Sequence, residues 1–168
     1  RPTLDKNLTV NQQFESSLNS YFVNVASFHG ANKLSLSKVQ AERVHNTGRG
    51  AIIGLYQQRI NGIEVFGRFI NVMINREHDY VASSGYFVNA KRQPQATYSL
   101  TESEALAKAF EANTGISVSG LELKASSETA VYKHLAIPTK IQGAYLSTNS
   151  RVKRVFFPTA ADRAVSAY

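Results

Sequence analysis

The chain contains no cysteine. That absence removes disulfides, thiolate metal sites and a cysteine nucleophile together. It leaves the compartment open, because many exported bacterial proteins also avoid cysteine. No apolar run approaches the roughly 18 residues of a membrane-spanning helix. No charged-then-apolar leader opens the chain, which begins Arg1-Pro2-Thr3-Leu4-Asp5. A cytosolic protein lacks a leader, and so does an exported one whose leader has been removed. Acidic residues are few: 12 Asp and Glu stand against 19 Lys and Arg, a net charge of +7. Such a balance favours a negatively charged partner.

Nucleic acid is one such partner, but the basic residues are scattered singly. The densest group is Arg151, Lys153 and Arg154. No recognition helix, zinc-ligand spacing or aromatic-glycine RNA-binding motif accompanies it. The charge fits an acidic protein partner equally well. Arg151-Val152-Lys153-Arg154 also has the form of a dibasic processing site. Cleavage there would cut an expected hairpin, so a strand with its bases in solvent is the preferred reading.

Catalytic groupings are also missing from the pattern. His29, His45, His78 and His134 lie far apart, and none belongs to a His-Glu-x-x-His helix. Glu77 and Asp79 flank His78, but neighbours on a turn diverge, and an ordinary solvated loop is expected. No nucleophile elbow or phosphate-cradling glycine loop occurs. Glu102 and Glu104 sit in an expected first helical turn, where the helix dipole already accounts for them. The segment is read as non-catalytic, with no cofactor and no metal.

What is present is a core. The 168 residues are 43% hydrophobic, enough for one domain or two small ones. Phe14, Leu18, Tyr21, Phe22, Val25 and Phe28 recur at steps of three and four, predicting a helix. Thr9 with Gln12 forms a capping box at its start, and Gly30 is a natural stop. One strand is expected within 34–44, then a turn or loop over 45–50. Asn61-Gly62 between two apolar runs predicts a tight hairpin, 52–60 returning as 63–74. The apolar phase switches from Ile63 and Val65 to Ile70, Val72 and Ile74, so a bulge is expected near Gly67. A third strand is expected over 80–88.

A polar stretch, 91–99, separates this half from a second helix. Thr101 and Glu104 form its capping box, Ala105, Leu106, Ala109 and Phe110 its apolar face, and Asn113-Thr114-Gly115 its end. Strands are expected over 121–125, 129–134 and 151–157, with a polar stretch containing Pro138 and Gly143 before the last. The chain then stops at Tyr168 within what reads as another hairpin, suggesting a processed or truncated piece. Helix, strands, helix, strands implies α+β: two small subdomains, each a helix with an antiparallel sheet.

The run Leu55-Tyr56-Gln57-Gln58-Arg59-Ile60-Asn61-Gly62-Ile63-Glu64-Val65-Phe66-Gly67 resembles the fungalysin/thermolysin propeptide motif. Ser83-Ser84-Gly85 stands where that motif places a small residue and a glycine. Gln57, Gln58, Asn61, Gly62, Ile63, Val65 and Gly67 carry the likeness, whereas Glu64 replaces a frequent proline and Ile60 a frequent tyrosine. From Thr101 onward the chain is similar to a PepSY domain, through Glu104-Ala105-Leu106-Ala107-Lys108-Ala109 and the segment 151–168.

The resemblance implies a propeptide-like domain over 1–92 and a PepSY-like domain over 93–168. Together they would form the pro-segment of a secreted zinc metallopeptidase. Its partner would be the cognate catalytic domain in the same chain, which it would inhibit and help to fold. The protein would be exported after loss of a signal peptide, with no nucleic-acid partner and no membrane span. The alternative is a non-catalytic binding module on a secreted or surface protein, recruiting a protein or polymer through its sheet edges and basic surface.

Overall fold

The structure, a computed structural model, describes residues 2, 5–31, 40–88, 96–117, 124–128, 132–136, 150–159 and 163–167. The elements are α1 (Val10–Val25), β1 (Arg43–His45), β2 (Ile52–Ile60), β3 (Ile63–Ile74), β4 (Tyr80–Gly85), α2 (Glu102–Thr114), β5 (Lys124–Glu128), β6 (Lys133–Ala136), β7 (Ser150–Val152), β8 (Val155–Thr159) and β9 (Arg163–Ala167). The class is α+β, as the element order implies. The chain divides into two compact units, residues 1–94 with 156–165, and residues 95–155 with 166–168. The segment 156–165, grouped with the second half on sequence grounds, thus belongs to the first unit. Among the described residues no helix is long and apolar enough to cross a membrane.

In the first unit α1 begins at the expected capping box. The Gln12 side chain accepts from Thr9 N at 2.9 Å, and the Thr9 hydroxyl accepts from Gln12 N at 3.4 Å. Phe14, Leu18 and Phe22 are buried along one stripe. After Val25 the chain tightens into a 3-10 turn, Ala26–His29, closed by Gly30 at φ 82°. The tighter turn advances each side chain further around the axis. Phe28, expected on the stripe, is therefore thrown outward and is 86% exposed.

The sheet order is β1-β2-β3-β8-β9, with β4 also paired to β3. Pairs β1/β2, β2/β3 and β3/β4 are antiparallel, as expected. Pair β3/β8 departs from the expectation, with a parallel bridge between Val65 and Phe156. The twelve-residue β3 therefore shares its second edge, residues 70–74 facing β4 and Val65 facing β8. His45, read as the start of a loop, closes β1. Most of the strand expected over 34–44 lies outside the described residues.

Alternation sets the faces. Ile52, Tyr56, Gln58 and Ile60 of β2 point inward, and so do Ile70, Val72 and Ile74 of β3. Ile52, Tyr56, Ile70, Val72 and Ile74 close against Phe14, Leu18, Phe22 and Phe87, and the Phe22 and Tyr56 rings stack at 4.0 Å. A second cluster joins Ile60, Val65, Val88 and Phe156. Each such side chain contributes about 1.5–3 kcal/mol when fully buried. Strand β4 ends at Gly85, short of the expected Val88. Beyond it Phe87 N donates to His29 O at 2.6 Å, and Val88 bonds a side chain of β2.

In the second unit α2 carries its capping box, Thr101 N reaching Glu104 Oε2 at 2.7 Å, and stops at Gly115 with φ 72°. Phe110 is its buried residue, while Ala109 of the expected apolar face is exposed. Strands β5, β6 and β7 form an antiparallel sheet, and α2 packs on β7. Leu135, Val152 and Val155 are buried. The strand expected over 151–157 is two: β7 ends at Val152 and β8 starts at Val155. Residues 121–123, 129–131, Pro138, Gly143 and Tyr168, named in the expected strands and loops, lie outside the described residues.

Candidate functional site

The motif-bearing hairpin is built by its own residues. Asn61 at φ 51° and Gly62 at φ 82° form the turn, the paired positive values of type I′. Below the turn Arg59 pairs with Glu64, but Gln57 pairs with Phe69. One residue of β2, Gln58, therefore stands opposite four of β3, 65–68. Gly67 supplies the bend at φ 65°, a conformation costly for any side chain with a Cβ. This is the expected bulge, and it separates the stretch of β3 that meets β8 from the stretch that meets β4.

A bulge strips carbonyls of their ladder partners. Here Gln57 Nε2 replaces them, donating to Val65 O at 2.8 Å and Arg68 O at 2.9 Å. Gln58 turns the other way and is 2% exposed. Its Nε2 donates to Val88 O at 2.8 Å, and its Oε1 accepts from Val88 N at 2.9 Å. The two adjacent amides thus do opposite tasks, one securing the bulge and one holding the chain beyond β4. Val65 is fully buried, and Ile63 is half-buried against the same cluster.

Outside this frame the hairpin presents charge and aromatic surface. Arg59 Nη2 lies 3.0 Å from both Glu42 oxygens, with both side chains well solvated, so the pair adds little stability. Phe66 and Phe157, each about half exposed, stack with centroids 5.8 Å apart. The Arg68 guanidinium covers the Tyr86 ring at 4.3 Å, leaving its Nε buried without a partner among the described residues.

Two histidines have structural partners that their sequence context did not reveal. His78, expected in a solvated loop, has φ 66° and stacks on Phe14 at 4.5 Å. Its Nδ1 lies 2.9 Å from Ser17 Oγ, and its carbonyl accepts from Tyr21 OH at 3.2 Å. His29 Nδ1 lies 2.7 Å from Gly85 O and its Nε2 2.7 Å from Ser83 Oγ. A carbonyl only accepts, so Nδ1 carries the proton and, in the neutral ring, Nε2 accepts from Ser83. Tyr80 OH, 2.8 Å from Ser83 Oγ, completes a chain that seals the end of β4.

The basic group of the second unit is held by aromatic and acidic neighbours. Arg151 and Lys153 lie over the Tyr132 ring at 5.4 and 5.3 Å. Arg154 lies over Tyr98 at 5.1 Å and reaches Glu102 Oε1 at 3.0 Å. Lys133 Nζ is 3.3 Å from the same oxygen. Glu102 is therefore more than a helix-start carboxylate. Its own backbone N–H lowers its carboxyl most, burial opposes, and Lys133 and Arg154 add to the lowering, so that it lies below the usual range. Glu104 is held low by the Thr101 backbone N–H and hydroxyl. Burial, with Glu15 nearby, raises the Tyr56 hydroxyl, which stays protonated and donates to Asn19 Oδ1 at 2.8 Å.

Among the described residues no three of His, Asp and Glu converge as a metal would require. The Gln57 and Gln58 amides are spent on backbone, and Phe66 and Phe157 stay half exposed outside them. The class defined is an α+β protein whose most specific motif shapes a sheet. Comparison with protein-family models, curated proteins and solved structures gave no match.

Proposed function

We propose that the chain is the pro-segment of an exported zinc metallopeptidase, a tethered inhibitor and intramolecular chaperone that is not itself catalytic. One observation carries the reading. The residues that carry the propeptide resemblance, from Gln57 to Gly67, are those that build a specific backbone device: a type I′ turn, a bulge and two amide clamps. A likeness arising from composition alone has no reason to fall on interlocking parts. The net charge of +7 favours capture of an acidic catalytic domain.

Covalent attachment makes strong intrinsic affinity unnecessary. A tether supplies an effective concentration on the order of millimolar, so a weak contact suffices to keep the enzyme occupied. Cutting the tether then releases it by dilution. The test is to refold the peptidase domain of the same precursor from denaturant with and without this chain. Recovery of peptide hydrolysis that depends on the chain supports the chaperone role. Equal recovery without it sinks that role.

A further inference from the structure

Helix α1 covers one face of the first unit's sheet, packing on β2 and β3. The opposite face carries two cross-strand rows. Arg43, Leu55, Asn71 and Ser84 form one, and His45, Ile53, Met73 and Ala82 the other. These eight residues, with Val44 and Ser83, line a hollow of 490 Å³. A solvated face of an antiparallel sheet is ordinarily polar. Here its centre is Ile53, Leu55 and Met73, all only half-buried. These three side chains, rimmed by Asn71, Ser83 and Ser84, make a small apolar centre within a polar border.

Charge decides the kind of contact. Arg43 and His45 stand along the β1 margin, with no hydrogen bond or ion pair from either side chain among the described residues. Among the described residues no acidic side chain lines the hollow. Four strands at about 4.8 Å spacing span roughly 14 Å, wide enough to seat one helix of about 10 Å diameter. The same sheet seats α1 on its other side.

We propose that this face of β1–β4, which no described residue covers, is the dock for the catalytic domain, through an amphipathic helix of the enzyme. The helix lays aliphatic side chains on Ile53, Leu55 and Met73 and sets carboxylates beside Arg43 and His45. The proposal rests on the pro-segment reading and names the surface through which that reading operates. It makes capture salt-dependent, because the charged margin is exposed.

The probe is the separately expressed peptidase domain of the same precursor, assayed on a peptide substrate with added chain. Arg43→Glu and Leu55→Glu should each weaken inhibition tenfold or more, and 0.5 M NaCl should weaken the wild type. Lys6→Glu, an equal change of charge off this face, should inhibit like the wild type. Urea midpoints of the variants separate loss of contact from loss of fold. Arg43 is exposed on an edge strand, so its variant stays informative if Leu55→Glu unfolds. Full inhibition by a folded Arg43→Glu chain in low salt overturns the docking face and leaves the pro-segment reading intact. No inhibition by the wild type overturns both.

Discussion

The Gln58 side chain pairs with Val88 as a neighbouring strand would, giving one hydrogen bond to its carbonyl at 2.8 Å and taking one from its N–H at 2.9 Å. All of this occurs where Gln58 and Val88 are 2% and 4% exposed. Water cannot substitute for a partner lost at such a site. Gln58→Ala should therefore cost about 2–4 kcal/mol, since two buried backbone groups lose their partner. Gln57→Ala, at a half-buried amide, should cost about 1–2 kcal/mol. Urea unfolding of the two variants checks the order, and a neutral Gln58→Ala would contradict the clamp.

Two glycines of the same sheet should respond differently to alanine. Gly67, at φ 65°, has open space where a Cβ would go. Its substitution should cost only the left-handed backbone strain, about 1–2 kcal/mol. Gly85, at φ 98°, would drive its Cβ into the Phe69 carbonyl. That variant should lose about 3 kcal/mol or more, because strain and overlap add. Thermal unfolding of Gly67→Ala, Gly85→Ala and wild type measures the difference.

Acid should loosen the second unit before any general loss of charge explains it. The carboxyls of Glu102 and Glu104 lie below their ordinary value of 4.5 in the folded chain. Their stabilisation is present in full above that value and disappears as pH falls through the lowered folded one. Glu102→Gln should flatten the decline in stability as pH falls below about 4.5. Glu104→Gln keeps a capping side chain and should retain the helix start at neutral pH. NMR titration of the two carboxyls and urea midpoints against pH give the readout.

Local chemistry made much of this fold legible. Thr9 with Gln12, Thr101 with Glu104, Asn61-Gly62 and the phase switch at Gly67 each act through neighbours in sequence, and each forms as its residues dictate. Long-range partners were not legible. Nothing beside Gln58 in sequence points to Val88, thirty residues on, or to Phe156 meeting Val65 in parallel. His78 shows the same limit: Glu77 and Asp79 suggested solvent, whereas Phe14 and Ser17 are its partners. The open sheet face had a faint signal in the paired apolar residues Ile52-Ile53, which breaks the alternation of a strand with one wet side.

The most direct test of the pro-segment claim is to titrate the intact chain into the active peptidase domain of its precursor and follow peptide hydrolysis. Hydrolysis should fall in a saturable way by high micromolar chain at low salt and recover on dilution. A rate unchanged across that range contradicts the claim.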